Sequence, residues 1–159
     1  MKIKSIFKLI VAIVICQLAG IVGSLFTTPA ISTWYVTIQK PSFTPPNWLF
    51  GPIWITLFTL MGISLYLVWK KDLKNKDVKS SLFIFFVQLV LNSLWSILFF
   101  GLRSPFYAFI EIIILWVAIA ITIIKCYKIS KMAGLILLPY IVWVSIALTL
   151  NFYVLILNP

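Results

Sequence analysis

The stretch WYVTIQKPSFTPPNWLFGPIW, residues 34–54, leads into an uncharged run that ends at Trp69. Four of the chain's seven tryptophans and four of its eight prolines lie between Trp34 and Trp69. The prolines restrict the backbone before the run, and the aromatic side chains gather where the run begins. A proline-stiffened, aromatic-rich loop that leads into a hydrophobic helix suits a site for a large flat ligand.

The composition places the whole chain in a membrane. Of the 159 residues, 63% are hydrophobic and 10% are charged, and the mean hydropathy is +1.14. A water-soluble domain of this length cannot hide so much apolar surface, because small domains leave a large share of their surface exposed. The net charge is +10, and the charged residues lie mainly between the hydrophobic runs. Basic residues at such positions set the orientation of the spans in the membrane, so nucleic-acid binding is not predicted.

The side-chain inventory excludes several kinds of chemistry. The chain contains no histidine, and its only acidic residues are Asp72, Asp77 and Glu111. Metal-ligand clusters and histidine-based nucleophilic sites are therefore excluded, and we expect no bound metal and no required cofactor. Cys16 and Cys126 differ in depth by about 15 Å at 1.5 Å per residue, which is too far for a disulfide.

Five apolar runs are each long enough to cross the roughly 30 Å hydrocarbon core as helices. The predicted fold is an all-α integral membrane protein, a single domain over residues 1–159 built as a bundle of five transmembrane helices. The predicted spans are residues 5–26, 46–69, 80–101, 105–124 and 132–157. The start of the chain resembles a signal peptide, but its apolar run is too long and lacks a cleavage site, so we interpret it as the first span.

The basic residues predict the orientation of the chain. The N-terminus, the connector at residues 70–79 and the connector at residues 125–131 carry 3, 5 and 3 lysines, whereas the opposite side carries only Lys40 and Arg103. Basic residues accumulate on the cytoplasmic side. We therefore expect a bacterial cell-membrane protein with a cytoplasmic N-terminus, an extracytoplasmic C-terminus and an extracytoplasmic loop between the first two spans.

The third span carries a polar face. Gln88, Asn92 and Ser96 recur every four residues, with Trp95 beside them. Amide groups in hydrocarbon need hydrogen-bond partners, so this face turns into the bundle. Two interpretations stay open: the amides join helices, for example through Asn151 of the fifth span, or they anchor a ligand in a cavity.

Two further features also leave alternatives open. Glu111 is the only acidic residue inside a span, where an ionisable group is costly and by default indicates function; without a partner for a proton relay, a structural role fits equally well. Cys16, Gly20 and Ser24 place small side chains at four-residue spacing along the first span. Such spacing allows close helix packing, within the bundle or across a dimer.

Three tryptophans are explained by the membrane itself. Trp48 and Trp69 lie at the two ends of the second span, where interfacial anchors belong. Trp116 is expected to face lipid. None of these three residues requires a ligand.

The remaining tryptophans within spans indicate a cavity. Trp54 lies about 12 Å below the outer start of the second span, and Trp95 lies about 9 Å below the outer end of the third, at 1.5 Å per residue. Trp143, Asn92 and Ala147 fall at similar or greater depths. Together these residues predict an apolar pocket with few polar groups, beneath the loop and in the outer half of the bundle.

A series of motifs runs nearly from end to end of the chain. In order, these are Trp34-Tyr35, KPSFTPP at 40–46, FGPIW at 50–54, MGISLYLVW at 61–69, Gln88 with LNSLWS at 91–96, Phe99-Phe100, Ala108 with Glu111, LPYIVW at 138–143, Ala147 and Leu150-Asn151. This series resembles the TspO/translocator protein family, the tryptophan-rich sensory proteins related to the peripheral benzodiazepine receptor. Its specificity comes from the order of the motifs over five spans.

The resemblance implies a five-helix bundle, forming a homodimer in the membrane lipid, that binds tetrapyrroles such as protoporphyrin IX and haem, as well as isoquinoline and benzodiazepine drugs. It also implies a set of ligand-binding residues: Trp34, Tyr35, Pro45, Phe50, Trp54, Phe58, Asn92, Trp95, Trp143 and Ala147. Trp54 and Trp143 match the pair implicated in light- and oxygen-dependent porphyrin breakdown by some relatives. They would be catalytic residues only if this chain shares that activity.

One departure from the family pattern concerns cholesterol. Animal relatives end the fifth helix with a cholesterol-recognition pattern of Leu/Val, Tyr and Lys/Arg, but here no basic residue follows Tyr153. Cholesterol binding is therefore not predicted.

The leading hypothesis from the sequence is a tetrapyrrole receptor or sensor. In it the ring lies against Trp54 and Trp143, and Trp34 and Tyr35 close the top. A porphyrin-degrading enzyme and a tetrapyrrole transporter are the alternatives. No acid–base set supports ordinary catalysis, and no polar path crosses all five spans.

Overall fold

A computed structural model describes residues 3–159; Met1 and Lys2, the latter counted in the predicted topology, lie outside the described residues. The helices are α1 (Ile3–Ile31), α2 (Asn47–Trp69), α3 (Lys76–Ser96) with a π-helical turn (Ile97–Gly101), α4 (Pro105–Ile129), α5 (Lys131–Leu135) and α6 (Leu138–Leu157). Residues 3–159 contain no strand. Five helical segments of at least 23 residues, the last formed by α5 and α6 together, are apolar and long enough to cross a membrane. The predicted all-α, five-helix membrane bundle is confirmed.

The five spans pack around one apolar core. α1 lies along α2 and contacts α3, while α4 packs against α3 and α6. Met61, Phe85, Ile119 and Tyr140 are among its fully buried side chains. A second buried cluster lies at the loop end, which is the end of the bundle where residues 32–46 connect α1 to α2. The opposite end carries most of the lysines and is called the lysine end.

α1 continues five residues beyond its predicted end at residue 26 and includes Pro29. Threonines at this end of the helix satisfy backbone carbonyls: Thr27 Oγ1 donates to Gly23 O at 3.1 Å, and Thr33 Oγ1 donates to Pro29 O at 2.7 Å. The threonines therefore stabilise this end of α1 and do not terminate the helix early. The loop predicted over residues 27–45 is correspondingly shorter.

The starts of α3 and α4 follow ordinary capping rules. α3 begins at Lys76, four residues before the predicted start, because the Asn75 side chain accepts a hydrogen bond from Asp77 N at 2.8 Å. Ser104 accepts from Tyr107 N at 3.4 Å at the start of α4. Pro105 occupies the first turn of α4, where its missing N–H costs no hydrogen bond.

The fifth span is broken, although the sequence predicts one continuous helix over residues 132–157. α5 ends at Leu135, and α6 restarts at Leu138 with Pro139 in its first turn. Pro139 has no N–H with which to continue the α5 ladder. Ser64 Oγ of α2 donates to Ala133 O at 2.7 Å, which holds α5 against the bundle.

The small residues of α1 serve contacts inside the bundle. Cys16 and Gly23 are buried. A Cβ at Gly20 would lie 2.6 Å from the Phe58 ring, and a Cβ at Gly23 would lie 3.0 Å from Ser96 Oγ. These two positions therefore admit α2 and α3 side chains, whereas Ser24 is exposed. The homodimer stays a prediction.

Candidate functional site

A cavity of about 360 Å³ lies between α1, α2, α3 and α6 toward the loop end. Its lining residues are Gln17, Ala19, Gly20, Ile21, Gly23, Ser24, Thr27, Thr28, Ile31, Asn47, Phe50, Gly51, Trp54, Ile55, Phe58, Asn92, Trp95, Ser96, Phe100, Trp143 and Ala147. This volume falls in the range of roughly 300–1,000 Å³ that is usual for small-molecule sites.

Seven of the ten residues predicted to bind ligand line this cavity. They are Phe50, Trp54, Phe58, Asn92, Trp95, Trp143 and Ala147. Trp34, Tyr35 and Pro45 are not among the lining residues. The structure thus brings together the predicted residues of the spans, while the three loop residues lie apart from the cavity wall and their ligand contact stays a prediction.

Trp34 and Tyr35 pack onto two phenylalanines at the end of α3. The Trp34 ring lies 5.5 Å from the Phe99 ring, and the Tyr35 ring lies 5.7 Å from the Phe100 ring, measured between centroids. Phe100 in turn lines the cavity. The loop therefore reaches the cavity through Phe100 as an intermediate layer.

The π-helical turn explains why sequence reasoning missed Phe100. Leu102 N donates to Ile97 O at 2.8 Å, a spacing of five residues, so the turn is wider than an α-helical one. This widening buries Phe99 and Phe100 together, although they are neighbours in sequence. In a regular α-helix, Phe100 would lie outside the face that carries Gln88 and Phe99, so helix periodicity alone does not predict it as a wall residue.

Aromatic side chains form most of the inner wall of the cavity. The Trp54 and Phe58 rings stack with centroids 5.5 Å apart, and the Phe50 and Trp143 rings meet edge to face at 5.8 Å. Trp54 also contacts the Tyr140 ring at 6.4 Å. Trp54 and Trp143, the pair that the family resemblance connects with porphyrin breakdown, thus line the same cavity from α2 and α6.

Asn92 supplies a buried amide at the cavity wall. Its Nδ2 donates to Tyr140 Oη at 2.9 Å, and Tyr140 Oη donates to Gln88 Oε1 at 2.8 Å. A tyrosine hydroxyl has one proton, and Tyr140 donates it to Gln88. The Tyr140 oxygen must therefore accept from Asn92, which fixes the orientation of the Asn92 amide. The amides therefore join α3 to α6, as the first interpretation predicts. Asn92 also borders the cavity, and its contact with a ligand stays a prediction.

Asn151 pairs with Trp95, not with the α3 amides. Trp95 Nε1 donates to Asn151 Oδ1 at 3.0 Å, and Asn151 Nδ2 donates to Pro105 O at 2.8 Å. Since the indole can only donate and the carbonyl can only accept, both contacts orient the Asn151 amide in the same way. This arrangement holds the Trp95 ring in place at the cavity wall.

The contribution of α1 was not predicted. Nine lining residues, from Gln17 to Ile31, belong to this helix. The four-residue spacing of its small residues predicts close helix packing but no cavity wall. Gly20 accommodates the Phe58 ring next to the cavity, so the same small side chains also shape the site.

The three tryptophans explained by the membrane and the buried Glu111 lie away from the cavity lining. Trp48 is 72% exposed, and Lys8 Nζ lies 5.5 Å from the centroid of Trp69 at the lysine end. Trp116 is exposed, and its Nε1 donates to Ser145 Oγ at 2.9 Å. Glu111 is buried in α4, and neither carboxyl oxygen has a hydrogen-bond partner within residues 3–159.

Hydrogen bonds tie the loop to the end of the chain and brace it internally. Gln39 N donates to Asn158 Oδ1, and Asn158 Nδ2 donates to Gln39 O, both at 2.9 Å. Lys40 Nζ donates to the carbonyls of Tyr35 and Ile38 and lies 4.7 Å from the Tyr35 ring centroid. Burial raises the pKa of the Tyr35 phenol above its usual value.

The fold and the cavity define a polytopic helical membrane protein with an internal space of small-molecule size. The chain belongs to the TspO/MBR family, whose family model matches residues 12–157. It is 47% identical to the tryptophan-rich protein TspO of Archaeoglobus fulgidus over 97% of this chain and 99% of that protein.

Two further relatives are more distant. The human translocator protein is 38% identical over 87% of this chain and 82% of its own length. The tryptophan-rich sensory protein of Cereibacter sphaeroides is 30% identical over 86% of this chain and 85% of its own length. The family and these names support a membrane sensor or receptor as the class of protein.

Proposed function

We propose that this protein is a membrane receptor or sensor that binds a tetrapyrrole, such as protoporphyrin IX or haem, in the cavity between α1, α2, α3 and α6. The observation that carries the proposal is the wall of six aromatic side chains from three spans: Phe50, Trp54, Phe58, Trp95, Phe100 and Trp143. Isoquinoline and benzodiazepine drugs, which are also flat and apolar, are proposed to occupy the same space.

The chemistry of the wall favours a flat, mostly apolar ligand. Aromatic faces stack on a planar ring with centroids about 4.5–7 Å apart, and each such contact adds to the free energy of burial. Asn92 provides a polar contact that orients the ligand, since one of its N–H groups and its carbonyl oxygen are not used in the bond to Tyr140. A few fixed polar groups in an apolar pocket are typical of small-molecule sites.

This cavity would recognise the tetrapyrrole ring itself and not a metal ion bound in the ring. The chain has no histidine, and within residues 3–159 no cysteine, methionine or tyrosine lines the cavity. These are the side chains that usually hold haem iron. We therefore infer that metal-free porphyrin binds at least as tightly as haem.

A titration tests the proposal. The full chain in phosphatidylcholine nanodiscs is titrated with protoporphyrin IX while its tryptophan fluorescence is recorded. We expect saturable quenching, because the ring approaches several tryptophans, and displacement of the porphyrin by an isoquinoline drug. Quenching that rises linearly, as in empty nanodiscs containing free tryptophan, would contradict the proposal.

We also propose that the lysine end faces the cytoplasm. Contacts at this end bring the separate basic segments together: Lys8 lies over Trp69, and Lys125 Nζ donates to Ser80 Oγ at 2.8 Å. Such a one-sided accumulation of lysines is retained on the cytoplasmic side during insertion. The loop end, with Ser42, would then lie outside.

Thiol labelling in intact cells checks this orientation. A membrane-impermeant maleimide should label Ser42→Cys in intact cells and Lys74→Cys only after permeabilisation. Both positions are exposed, and the native Cys16 and Cys126 are buried, so the introduced thiol carries the signal. The reverse labelling pattern would show that the opposite orientation is correct.

A further inference from the structure

The cavity opens sideways. Six of its lining residues are exposed, and they share one location: Ile21, Ser24 and Thr28 on α1 and Asn47, Gly51 and Ile55 on α2. The lining residues contributed by α3, its π-helical turn and α6 are all buried or half-buried. The opening is therefore the gap between α1 and α2, which we call the lateral gap.

α1 and α2 are in close contact below the lateral gap and separate within it. At Gly62 the two backbones touch, since a Cβ there would lie 2.5 Å from Ile13 Cα. Nearer the loop end, Gln17 Nε2 donates to Ile55 O and to Thr59 Oγ1, both at 3.0 Å. At Gly51, by contrast, a Cβ would meet no atom within 4 Å. The close contact between the two helices at Gly62 is therefore not repeated at Gly51.

The lateral gap faces the membrane. Both helices are long and apolar enough to be membrane spans, and the gap covers the first nine residues of α2, about 12 Å at 1.5 Å per residue. Ile21 and Ile55 on its two edges are 54% and 62% exposed. Aliphatic side chains exposed on a membrane span contact lipid, so the gap connects the cavity with the lipid leaflet at the loop end.

The neighbouring sides of the cavity are closed by packed side chains. At the loop end Tyr35 is buried, and the reciprocal hydrogen bonds between Gln39 and Asn158 tie the loop to the end of α6. Between α2 and α6, the Phe50 and Trp143 rings meet edge to face. A ligand would have to break these contacts to pass on either side, whereas the lateral gap needs no such change.

We propose that the ligand, a flat apolar molecule dissolved in the membrane, enters the cavity through the lateral gap, and that Gly51 sets the width of this gap. The proposal rests on the proposed function, because it describes how the same class of ligand reaches the same site. Gly51 is the position that tests it best: a side chain there projects into open space. A Cβ at Gly51 meets open space, so a large side chain built on it is expected to obstruct the gap.

Binding kinetics test the route. Protoporphyrin IX is mixed with the full chain in phosphatidylcholine nanodiscs, and porphyrin fluorescence is followed by stopped flow. Gly51→Trp should slow association and dissociation by about tenfold each, with Kd nearly unchanged, because an obstruction acts on both rates. Leu25→Trp, which adds the same side chain at an exposed position of α1 outside the cavity lining, should bind at the wild-type rate. Asn158→Ala, which releases the loop, should also leave both rates unchanged.

Two outcomes would overturn the route. One is a wild-type association rate in Gly51→Trp, and the other is faster association in Asn158→Ala, which would place the access path at the loop end. Absence of porphyrin binding by the wild-type chain would instead contradict the proposed function.

A second measurement locates the lateral gap without any ligand. A nitroxide is attached to Gly51→Cys in phosphatidylcholine vesicles, with Ser42→Cys in the loop as the matched control. The label at Gly51→Cys should collide more often with oxygen, which concentrates in the bilayer, than with a water-soluble nickel chelate; the control should show the opposite preference. A preference for the nickel chelate at Gly51→Cys would refute a membrane-facing gap whether or not porphyrin binds.

Discussion

Replacing both cavity tryptophans, Trp54→Ala with Trp143→Ala, is expected to weaken protoporphyrin IX binding about 100-fold. The two indoles line the cavity from α2 and α6, so the double variant removes stacking surface from two sides of the ligand. Each aromatic contact contributes about 0.5–1.5 kcal/mol beyond the area that it buries. With the lost area the total reaches about 3 kcal/mol, which corresponds to the stated change in Kd. The shift of the porphyrin absorbance band measures binding independently of protein fluorescence.

Two controls separate stacking from a general loss of structure. Trp48→Ala removes a tryptophan that is 72% exposed and does not line the cavity, and it should leave Kd unchanged. Trp54→Phe with Trp143→Phe keeps aromatic faces on both sides and should lose only a few-fold in affinity. Wild-type affinity in the double alanine variant, with its thermal unfolding intact, would refute the proposed binding mode.

The substitution Gly62→Val is expected to destabilise the bundle strongly. A Cβ at this position would lie 2.5 Å from Ile13 Cα and 2.9 Å from Ile13 N. These are backbone atoms, so α1 and α2 must separate to accept the side chain. Overpacking of this kind costs about 3 kcal/mol. For a chain of this size that loss lowers Tm by roughly 6–12 °C.

The native cysteines report this unfolding. Cys16 and Cys126 are buried and unpaired, so a thiol-reactive dye becomes fluorescent only when heating exposes them. Gly51→Ala is the matched control on the same helix, because its Cβ meets no atom within 4 Å, and it should unfold at the wild-type temperature. If Gly62→Val and Gly51→Ala unfolded together, the close approach of α1 to α2 would be wrong.

Part of the cavity wall, on α2, α3 and α6, was predictable because depth and helix face are linear properties of a sequence. Depth below the ends of the spans and the four-residue spacing of polar groups predict three cavity residues: Trp54, Asn92 and Trp143. The structure places all three on one cavity. The same counting found Ala147, which faces the cavity from α6.

The parts that were missed depend on distances between helices. α1 lines the cavity because Gly62 brings it close to α2 at one end while nothing fills the space around Gly51 at the other. Phe100 joins the wall because the π-helical turn shifts the register of α3. Trp34 and Tyr35 pack on Phe99 and Phe100, a contact between segments more than sixty residues apart.

The sequence by itself determined the membrane location, the five spans and the candidate cavity residues on α2, α3 and α6. The physical reason is that hydrocarbon forces each span to be about twenty apolar residues long and forces its polar groups to turn inward. Only the tertiary structure decided where the cavity opens. The lateral gap exists because α1 and α2 touch at Gly62 while open space remains beside Gly51. How two helices pack depends on side-chain contacts that no single stretch of sequence contains.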